Sequence, residues 1–561
     1  MKKLIFLAIC CFGVLTIPNL RANSYIYSSW GRPIHSAEGF AFSDNYYDRN
    51  IDPSGNHSFS GRLADLRVGG DYLYLLDERT IMVNDQGVTI STNNNSRIFV
   101  LDSNLQFVKV IDHFYRPYLT ETGGARFSLQ PVVDNNGEVI LDGNGEPLLE
   151  RRMDLVRDTF NQAQGLFITP NNIFVADTEN NRIIKLDLEG NFVYTYDEIT
   201  DSFTEYGYFG TPNDPTFRQH ADDDGVAFRP SKIVVDTTNR MYVIALMVFE
   251  GILEFDEAGE FSRFVGTNRV HLTPIQIFWR RFQSEEQIRR DSLRLPQQFI
   301  NLTIDERNFL WATSMPIAQG HTNDHIIQSI NPSGVDVLRN NGFARPRGDL
   351  EFSLSAGVFD LIYGPSRFGS ITLDGRGNYT VLDTRRGRLF TYDFEGNLLF
   401  ITGQMGNQTD SFGDPVAVVY FQDQLLVVDR QTSSLIAFGF TEFGRLVTEA
   451  TQLERVGNMT EAAEVWREVI RRNSNFEIAY TGIARVMMDE GRFAEARHYF
   501  RLGNNWRGYS RALNEQRFLF IDRHFNTAMG IFLVGAAAVT GFLIYRGVKK
   551  GKFKSHEGSE Y

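Results

Sequence analysis

The fold is decided by a stretch that reads FVADTENNRIIKLDLEGNF from Phe174 to Phe192. An apolar run ends at Asp177, four polar residues follow, and a second apolar run opens at Arg182. Apolar and polar residues alternate with a period of two, as in half-buried antiparallel strands. Asp177 can accept hydrogen bonds from turn amides, and Gly190 supplies the positive φ that a tight hairpin needs. The stretch therefore predicts two successive hairpins.

The same pattern recurs along the chain and predicts six repeated units. A single sheet of this kind would expose an apolar face and open edges, whereas six sheets arranged radially bury the faces. We therefore predict a mainly β protein with a six-bladed β-propeller over residues 23–444, which Tyr25–Ser28 closes as an added strand. The recurring runs are Arg97–Asp102, Arg182–Asp187, Gly251–Asp256, His325–Asn331, Arg388–Asp393 and Ser434–Phe438.

Long connections separate some of the predicted blades, because the repeats lie further apart than the about 40–45 residues of a compact blade. Much of the excess falls in Tyr115–Met153, and a second insert, Arg269–Arg294, has a helical pattern. Inserts of this length on one face of a propeller often build a binding rim.

Two of the units resemble NHL repeats. The resemblance is carried by VADTENNRI at Val175–Ile183 and LDTRRGRL at Leu382–Leu389, and it extends over about residues 60–440. The segment YSSWGRPIHSAEGF at Tyr27–Phe40 also resembles the start of bacterial surface-anchored NHL-repeat proteins. This resemblance implies a membrane-anchored propeller that accompanies a solute or carbohydrate uptake system.

The N-terminal residues 1–22 predict a secretory signal peptide. Lys2 and Lys3 form a positive start, an apolar stretch follows, and the small residue Ala22 precedes the predicted cleavage before Asn23. The apolar stretch is short for a membrane span, which favours cleavage over a retained anchor.

Composition limits the chemistry of the mature protein. Cys10 and Cys11 are the two cysteines of the chain and both lie in the signal segment. We therefore expect no disulfides, thiolate nucleophiles or cysteine-bound metals. The formal charge is −13 and becomes more negative when the signal is removed, which argues against nucleic acid as a partner.

Residues 526–545 predict a transmembrane helix. No charged residue occurs from Ala528 to Tyr545, and several small residues typical of membrane helices lie in this run. Basic residues stay on the cytoplasmic side, so the tail 546–561 is expected inside and the body outside, an orientation that the signal peptide also requires. The flanking basic residues are Arg546, Lys549, Lys550, Lys552 and Lys554.

Residues 445–525 predict a helical neck between the propeller and the membrane. The segments Gly457–Trp466 and Gly491–Phe500 align at an offset of 34 residues, which is the period of tetratricopeptide repeats. This resemblance, over about two repeats, implies Ala462 and Ala496 at helix contacts. It also implies either a peptide-binding groove or a rigid spacer.

The central channel is where a propeller enzyme places its reacting groups, and its predicted lining is mixed and polar. Asp65, Asn301 and Asp414 resemble the carboxylate and amide set with which gluconolactonase-like propellers hold a divalent ion such as calcium, but no spacing specifies such a site. The alternative is a channel whose groups bond to one another and to water. The candidate ligand-binding residues are Asp65, Gln164, Arg229, Gln297, Asn301, Arg367 and Asp414.

Other candidate catalytic or metal-binding groups show no organised pattern. Asp222–Asp224 lacks the spaced ligands of a calcium loop and predicts a solvated turn. We find no GxSxG or HExxH motif and no phosphate-binding glycine loop. Four histidines hold no common position in the repeat, so they do not predict a metal centre: His220, His271, His321 and His325.

Taken together, these patterns favour a non-enzymatic, membrane-tethered binding or scaffold protein without a resident cofactor. Its ligand would be a protein, a glycan or a solute, in association with an uptake system. The alternative is a metal-dependent hydrolase or lyase, gluconolactonase-like, that acts through the channel.

Overall fold

The structure is a computed structural model, and the chain divides into two compact units, Met1–Gln452 and Leu453–Tyr561. It describes residues 25–28, 31–55, 57–83, 89–118, 127–131, 149–196, 228–246, 248–249, 251–266, 298–315, 326–342, 346–349 and 365–554. Several predicted features lie outside these residues: the signal peptide 1–22 with Ala22 and Asn23, the insert Arg269–Arg294, Gln297, Asp222–Asp224, His220, His271, His321 and His325.

Six antiparallel sheets, called blades 1 to 6 in chain order, dominate the first unit. Before and within blade 1 lie β1 (Tyr25–Tyr27), β2 (Pro33–His35), β3 (Phe40–Tyr47), α1 (Asp48–Ile51), β4 (Leu63–Gly69), β5 (Tyr72–Asp77), β6 (Thr80–Val83), β7 (Thr89–Asn93), β8 (Asn95–Leu101), β9 (Phe107–Ile111), β10 (Phe114–Pro117), β11 (Phe127–Pro131), β12 (Leu149–Met153), β13 (Leu155–Asp158) and β14 (Phe160–Asn161). Blade 1 consists of β4, β5, β8, β9 and β14, whereas β6 pairs with β7, β10 with β13 and β11 with β12.

The remaining blades follow in chain order, and blade 6 also includes the earlier strand β3. Blade 2 contains β15 (Gly165–Ile168), β16 (Asn172–Asp177), β17 (Arg182–Asp187) and β18 (Phe192–Tyr196); blade 3 contains β19 (Pro230–Val235), β20 (Met241–Ala245), β21 (Ile252–Phe255) and β22 (Phe261–Val265). Blade 4 contains β23 (Phe299–Ile304), β24 (Leu310–Ser314) and β25 (Ile327–Ile330); blade 5 contains β26 (Phe368–Leu373), β27 (Tyr379–Asp383), β28 (Arg388–Tyr392) and β29 (Leu398–Thr402); blade 6 contains β30 (Pro415–Phe421), β31 (Gln424–Asp429), β32 (Ser434–Phe440) and β3.

The blades close into a ring, which confirms the predicted six-bladed propeller. The first strand of each blade contacts the first strand of the next, in the order β4, β15, β19, β23, β26 and β30, and β30 returns to contact β4. The buried apolar clusters lie between neighbouring blades. One joins blades 6 and 1, a second joins blades 1 and 2, and others join blades 2 and 3, 3 and 4, and 4 and 5. Each sheet therefore buries its two faces against its neighbours, as the hairpin pattern requires.

The strand that closes the ring differs from the sequence prediction. Tyr25–Ser28 was predicted to add the closing strand, but this prediction is wrong, because β1 pairs with β2. The closing strand is β3, which pairs with β32 in blade 6. The phenol hydroxyls of Tyr25 and Tyr27 both hydrogen-bond the buried Asp349 carboxylate, and Arg388 pairs with the same carboxylate. These contacts hold β1 near blade 5.

The quoted stretch forms the hairpins that its punctuation predicts. Asp177 is fully buried and accepts hydrogen bonds from the Asn161 amide at 2.6 Å and the Arg182 Nε at 2.8 Å. Asp187 accepts hydrogen bonds from the Glu189 and Asn191 amides at 2.9 and 2.8 Å, between β17 and β18. The first aspartate therefore fixes the chain that enters the blade, and the second fixes the next turn.

The second unit is helical, and one helix spans the boundary between the units. Gly457 and Gly491 have φ values of +83° and +73°, which end helices in the left-handed conformation that glycine adopts freely. Ala462 and Ala496, which were predicted to lie where helices contact one another, are fully buried. The helices are α2 (Glu442–Arg455), α3 (Met459–Arg472), α4 (Glu477–Asp489), α5 (Phe493–Leu502) and α6 (Trp506–Lys554).

The last helix contains the predicted membrane segment. Over Trp506–Lys549 it is long and apolar enough to cross a bilayer, its most apolar 18-residue window has a mean hydropathy of 2.1, and none of that window is buried in protein. Residues 526–545 lie within this continuous helix rather than in a separate one. A bare apolar helix surface of this length is expected of a segment that lipid covers.

Candidate functional site in the central channel

Polar side chains occur at one repeated position of the channel strands. A bulge follows the first residue of β4, β19 and β23, and the strand resumes its pairing at Asp65, Lys232 and Asn301 respectively. A bulge adds one residue to a strand and redirects the side chains around it. The same position is therefore occupied by a carboxylate in blade 1, an ammonium group in blade 3 and an amide in blade 4.

Asp65 lies at the centre of a buried ion-pair cluster. Its carboxylate is 3.2 Å from the Lys232 Nζ and 3.5 Å from the Arg67 Nε. It also accepts a hydrogen bond from the Leu166 amide at 3.2 Å. The Leu66 amide donates to the same carboxylate at 3.0 Å. Because the side chain is only 2% exposed, two cations and two amides replace the water that a free carboxylate would hold.

The cations of this cluster link four blades. The Lys232 Nζ of blade 3 donates hydrogen bonds to the carbonyls of Ala64 at 3.2 Å in blade 1 and Gln164 at 2.6 Å before blade 2. An Arg67 guanidinium nitrogen in blade 1 donates to the Leu302 carbonyl of blade 4 at 3.2 Å. The cluster therefore connects the inner strands of these blades by hydrogen bonds and ion pairs across the channel.

The protonation of the cluster follows from this geometry. Burial acts to raise the pKa of the Asp65 carboxyl, but Arg67 and Lys232 outweigh it, and this pKa lies below its ordinary value. Burial lowers the pKa of the Lys232 ammonium group, an effect that Asp65 opposes and Arg67 reinforces. Asp65 is accordingly an ionised partner of basic groups at neutral pH.

The other predicted channel residues that the structure describes do not join this cluster through their side chains. Gln164 contributes its backbone carbonyl to Lys232. Arg229 precedes β19, and its guanidinium pairs with Glu179. Asn301 is 1% exposed, and its Oδ1 atom has no hydrogen-bond partner among the described residues.

Arg367 and Asp414 occupy the segments that lead into blades 5 and 6. The Arg367 amide donates to the Asp383 carboxylate at 3.1 Å, and the Asp414 amide donates to the Asp429 carboxylate at 3.3 Å. The Asp414 carboxylate is about half exposed and lies 3.8 Å from an Arg430 nitrogen. The backbone amides of these two residues therefore hold the segments that enter their blades, as the Asn161 amide does ahead of blade 2.

Further channel side chains bond the open edges of the inner strands. The Val418 amide donates to the Ser370 Oγ at 3.2 Å, and the Tyr420 amide donates to the Thr372 Oγ1 at 3.2 Å. In each case a hydroxyl of one blade satisfies an amide of the next. Since an inner strand has no further strand to pair with, such bonds complete its backbone hydrogen bonding.

Sequence reasoning missed the basic members of the channel. Arg67 and Lys232 complete the Asp65 cluster, and Arg430 donates to the Leu63 carbonyl at 3.2 Å. The signal for Lys232 was present in the sequence, because it is a lone charge next to the apolar run Ile233–Val235. A charge beside an apolar strand run indicates a partner on a neighbouring element.

The donor set at Asp65 does not fit a divalent cation. A metal-binding carboxylate needs open oxygen lone pairs and no basic group against it, whereas Lys232 and Arg67 lie within 3.5 Å of Asp65. Among the residues that the structure describes, no three histidine, cysteine, aspartate or glutamate side chains are grouped as metal ligands. Beside the cluster, a cavity of about 250 Å³ is lined by Arg67 and mostly apolar residues such as Ile168 and Ile371.

Comparison with known proteins finds only distant similarity to solved structures. No family model matches it, and no curated protein matches it. Among solved structures, streptogramin B lyase is similar at 11% identity over 72% of this chain and 100% of its own, with a TM-score of 0.35. BamB from Moraxella catarrhalis is similar at 12% identity over 72% of this chain and 100% of its own, with a TM-score of 0.28. The Malassezia sympodialis allergen Mala s 1 is similar at 11% identity over 66% of this chain and 90% of its own, with a TM-score of 0.32.

Proposed function

We propose that the protein is a non-enzymatic binding or scaffold protein, held on the outer side of the cytoplasmic membrane by its C-terminal helix. In this proposal residues 1–22 are removed on export, and 23–444 form an NHL-type propeller. A tetratricopeptide-like neck of 445–525 follows, and 526–545 cross the membrane. The tail 546–561 lies inside the cell. The ligand is a protein, a glycan or a solute, and the protein serves as an accessory to a surface uptake system.

The observation that favours a binding protein over an enzyme is that the Asp65 carboxylate is already paired with basic groups of the protein. An enzyme of the alternative type, a metal-dependent hydrolase or lyase, would need channel carboxylates open to a metal or a substrate. Asp65 instead pairs with Lys232 and Arg67 and accepts hydrogen bonds from the Leu66 and Leu166 amides. These contacts support a channel that stabilises the ring, with recognition on the outer surfaces of the blades.

The last helix supports the tether. It is long and apolar enough to cross a bilayer, and the side chains of Arg546 and Lys549 at its end are exposed. Basic residues at one end of an apolar helix favour that end on the cytoplasmic side. This arrangement leaves the propeller on the opposite side of the membrane, where an exported signal peptide would deliver it.

The proposal is tested by crosslinking intact cells and isolating the full chain through a C-terminal tag. A matched chain that lacks the propeller but keeps the signal peptide, neck and membrane helix is the control. We expect a partner that crosslinks only to the full chain. Metal analysis and hydrolase or lyase assays of the purified full chain run alongside. Stoichiometric metal with channel-dependent turnover, and no propeller-dependent partner, would favour the enzyme.

A further inference from the structure

A cleft of about 810 Å³ lies on blade 6, outside the channel. One wall is the closing strand β3, and the other is the connection 403–413 between β29 and β30. Its lining shares no residue with the channel cavity. This volume lies within the roughly 300–1,000 Å³ typical of sites for small organic ligands.

Two exposed aromatic rings lie on the β3 wall. Phe42 is 36% exposed and Tyr47 is 40% exposed. A bulge between Phe42 and Asp44 shifts the register of β3, which brings both rings and Asn45 to the cleft. The backbone positions of Phe42 and Tyr47 are roughly 15 Å apart along the strand at about 3.3 Å a residue. This span suits a short oligomer of ring-shaped units better than a single small molecule.

Amide side chains line the space between and opposite these rings. Asn407, Gln408 and Gln431 are exposed in the cleft, and none of their side chains hydrogen-bonds to another described residue. Each primary amide offers both donors and an acceptor. A ligand that carries many hydroxyl groups can accept hydrogen bonds from the amide nitrogens and donate hydrogen bonds to the amide oxygens.

The opposite wall is fixed before any ligand arrives. The Asn45 Nδ2 donates to the Thr409 carbonyl at 2.9 Å, which ties the connection to β3. Phe412 is fully buried against Phe438 at a ring separation of 5.6 Å. The Gly406 amide donates to the Phe412 carbonyl at 2.9 Å. A preformed wall reduces the entropy lost when a ligand binds.

The charge of the cleft narrows the class of ligand. Its charged lining residues are Glu38 and Asp410, and no lysine or arginine of the described part of the chain lines it. Anionic polymers and phosphate esters would therefore meet repulsion rather than pairing. Among the described lining residues, the apolar side chains are Phe42, Tyr47 and Ile436, which is little for an apolar peptide or a lipid chain.

We propose that this cleft binds a neutral oligosaccharide. The C–H faces of the sugar rings stack on Phe42 and Tyr47, and the hydroxyl groups hydrogen-bond to the amides of Asn407 and Gln431. The proposal rests on the binding role proposed above and names the ligand class and its site. Aromatic rings with exposed faces and nearby amides match the two surfaces of a sugar, one apolar and one polar.

The test is calorimetric titration of the purified full chain, in a detergent without a sugar headgroup, against soluble hexasaccharides. The probes are neutral hexamers of glucose, mannose, galactose and xylose, with an acidic galacturonate hexamer as the charged comparison. We expect at least one neutral hexamer to bind. Phe42→Ala and Gln431→Ala should each weaken its affinity at least about tenfold. Tyr72→Ala, which removes a 44% exposed ring on blade 1, should leave it unchanged.

Three results would overturn the proposal: no neutral hexamer binds, the acidic hexamer binds more tightly, or binding survives the double change Phe42→Ala with Tyr47→Ala. The Gln431 side chain is exposed, so Gln431→Ala should fold like the native chain. Circular dichroism of this variant checks that weaker binding does not come from misfolding. The titration needs neither a partner nor a membrane orientation. A negative result therefore removes the glycan site and leaves the crosslinking test of the scaffold role intact.

Discussion

Asp65 is the residue on which the channel contacts converge, and its replacement should cost more than that of either cation. Asp65→Ala leaves both Lys232 and Arg67 buried without their carboxylate, which we expect to lower the free energy of unfolding by about 4 kcal/mol. Lys232→Met keeps the apolar stem and leaves Asp65 paired with Arg67, so about 1 kcal/mol is expected. Denaturant unfolding of the full chain in detergent measures both.

The matched control is Asp187→Ala, which removes a carboxylate from an exposed turn rather than from the channel. Loss of its hydrogen bonds from the Glu189 and Asn191 backbone amides and from the Asn191 side chain should cost about 1 kcal/mol, because the turn is exposed to water. Equal losses for Asp65→Ala and Asp187→Ala, or a larger loss for Lys232→Met than for Asp65→Ala, would contradict the assignment of Asp65 as the shared partner.

The lowered pKa of Asp65 also predicts a pH dependence. A carboxyl whose folded pKa lies below its unfolded value of about 3.9 stabilises the fold above that value and loses the contribution as the pH falls through the folded pKa. The difference in unfolding free energy between the native chain and Asp65→Asn should therefore be constant above about pH 5 and shrink below about pH 4. Unfolding measured at a series of acidic pH values tests this, and a difference that grows on acidification would refute it.

Among the elements, β3 decides whether the ring is closed. Phe40 is 1% exposed and packs against Phe440 at 4.4 Å and Phe400 at 5.5 Å between ring centres. Phe40→Ala should lower the free energy of unfolding by about 3–5 kcal/mol, because it leaves a cavity where the first and last parts of the propeller meet.

Tyr72→Ala provides the comparison, since this exposed ring should contribute less than about 1 kcal/mol. Limited proteolysis should also release residues 25–47 from the Phe40→Ala chain before it cleaves within blades 2 to 5. Cleavage that starts within an internal blade would argue against β3 as the closing strand.

Gly482 in α4 packs so closely against Trp466 and Glu454 that a larger side chain would not fit. A Cβ atom at Gly482 would lie 2.3 Å from the Trp466 Nε1 and 2.6 Å from the Glu454 Oε1. Those two atoms already share a hydrogen bond of 2.7 Å. Gly482→Ala should therefore lower the helical melting temperature, although alanine is the better helix former by about 1 kcal/mol.

Gly530→Ala is the matched helical control, because nothing lies within 4 Å of a Cβ atom at that position. It should leave the melting temperature unchanged or raise it slightly. Thermal unfolding followed by helical circular dichroism compares the two changes, and a neutral Gly482→Ala would show that Trp466 can move away.

The elements also show what the sequence could predict. Period-two runs and strand-end aspartates predicted the repeated hairpins, because both signals are local to one blade. The closing strand could not be chosen this way, since β1 and β3 are both rich in aromatics. Their positions depend on Asp349 and β32, which lie hundreds of residues away. The channel position of Asp65 was predicted, but its partner Lys232 comes from blade 3 and is distant in the sequence.

At the scale of the whole molecule, the apolar helix is the feature that should decide where the protein is found. Removal of 526–561 deletes the membrane segment and its basic tail, so the remaining chain should leave the membrane fraction and stay in solution after export. Removal of 546–561 alone keeps the apolar helix, and that chain should remain in the membrane fraction. It should lose its uniform orientation, because the basic residues set which side the tail takes.

Fractionation and protease treatment of intact cells follow both truncations. In the full chain, protease added outside should digest the propeller and spare a tag at the C-terminus. The chain without 546–561 should show both orientations, with part of the population protected over the propeller. A full chain whose propeller resists protease while its C-terminal tag is digested would reverse the proposed orientation. Retention of the chain that lacks 526–561 in washed membranes would instead place the anchor elsewhere.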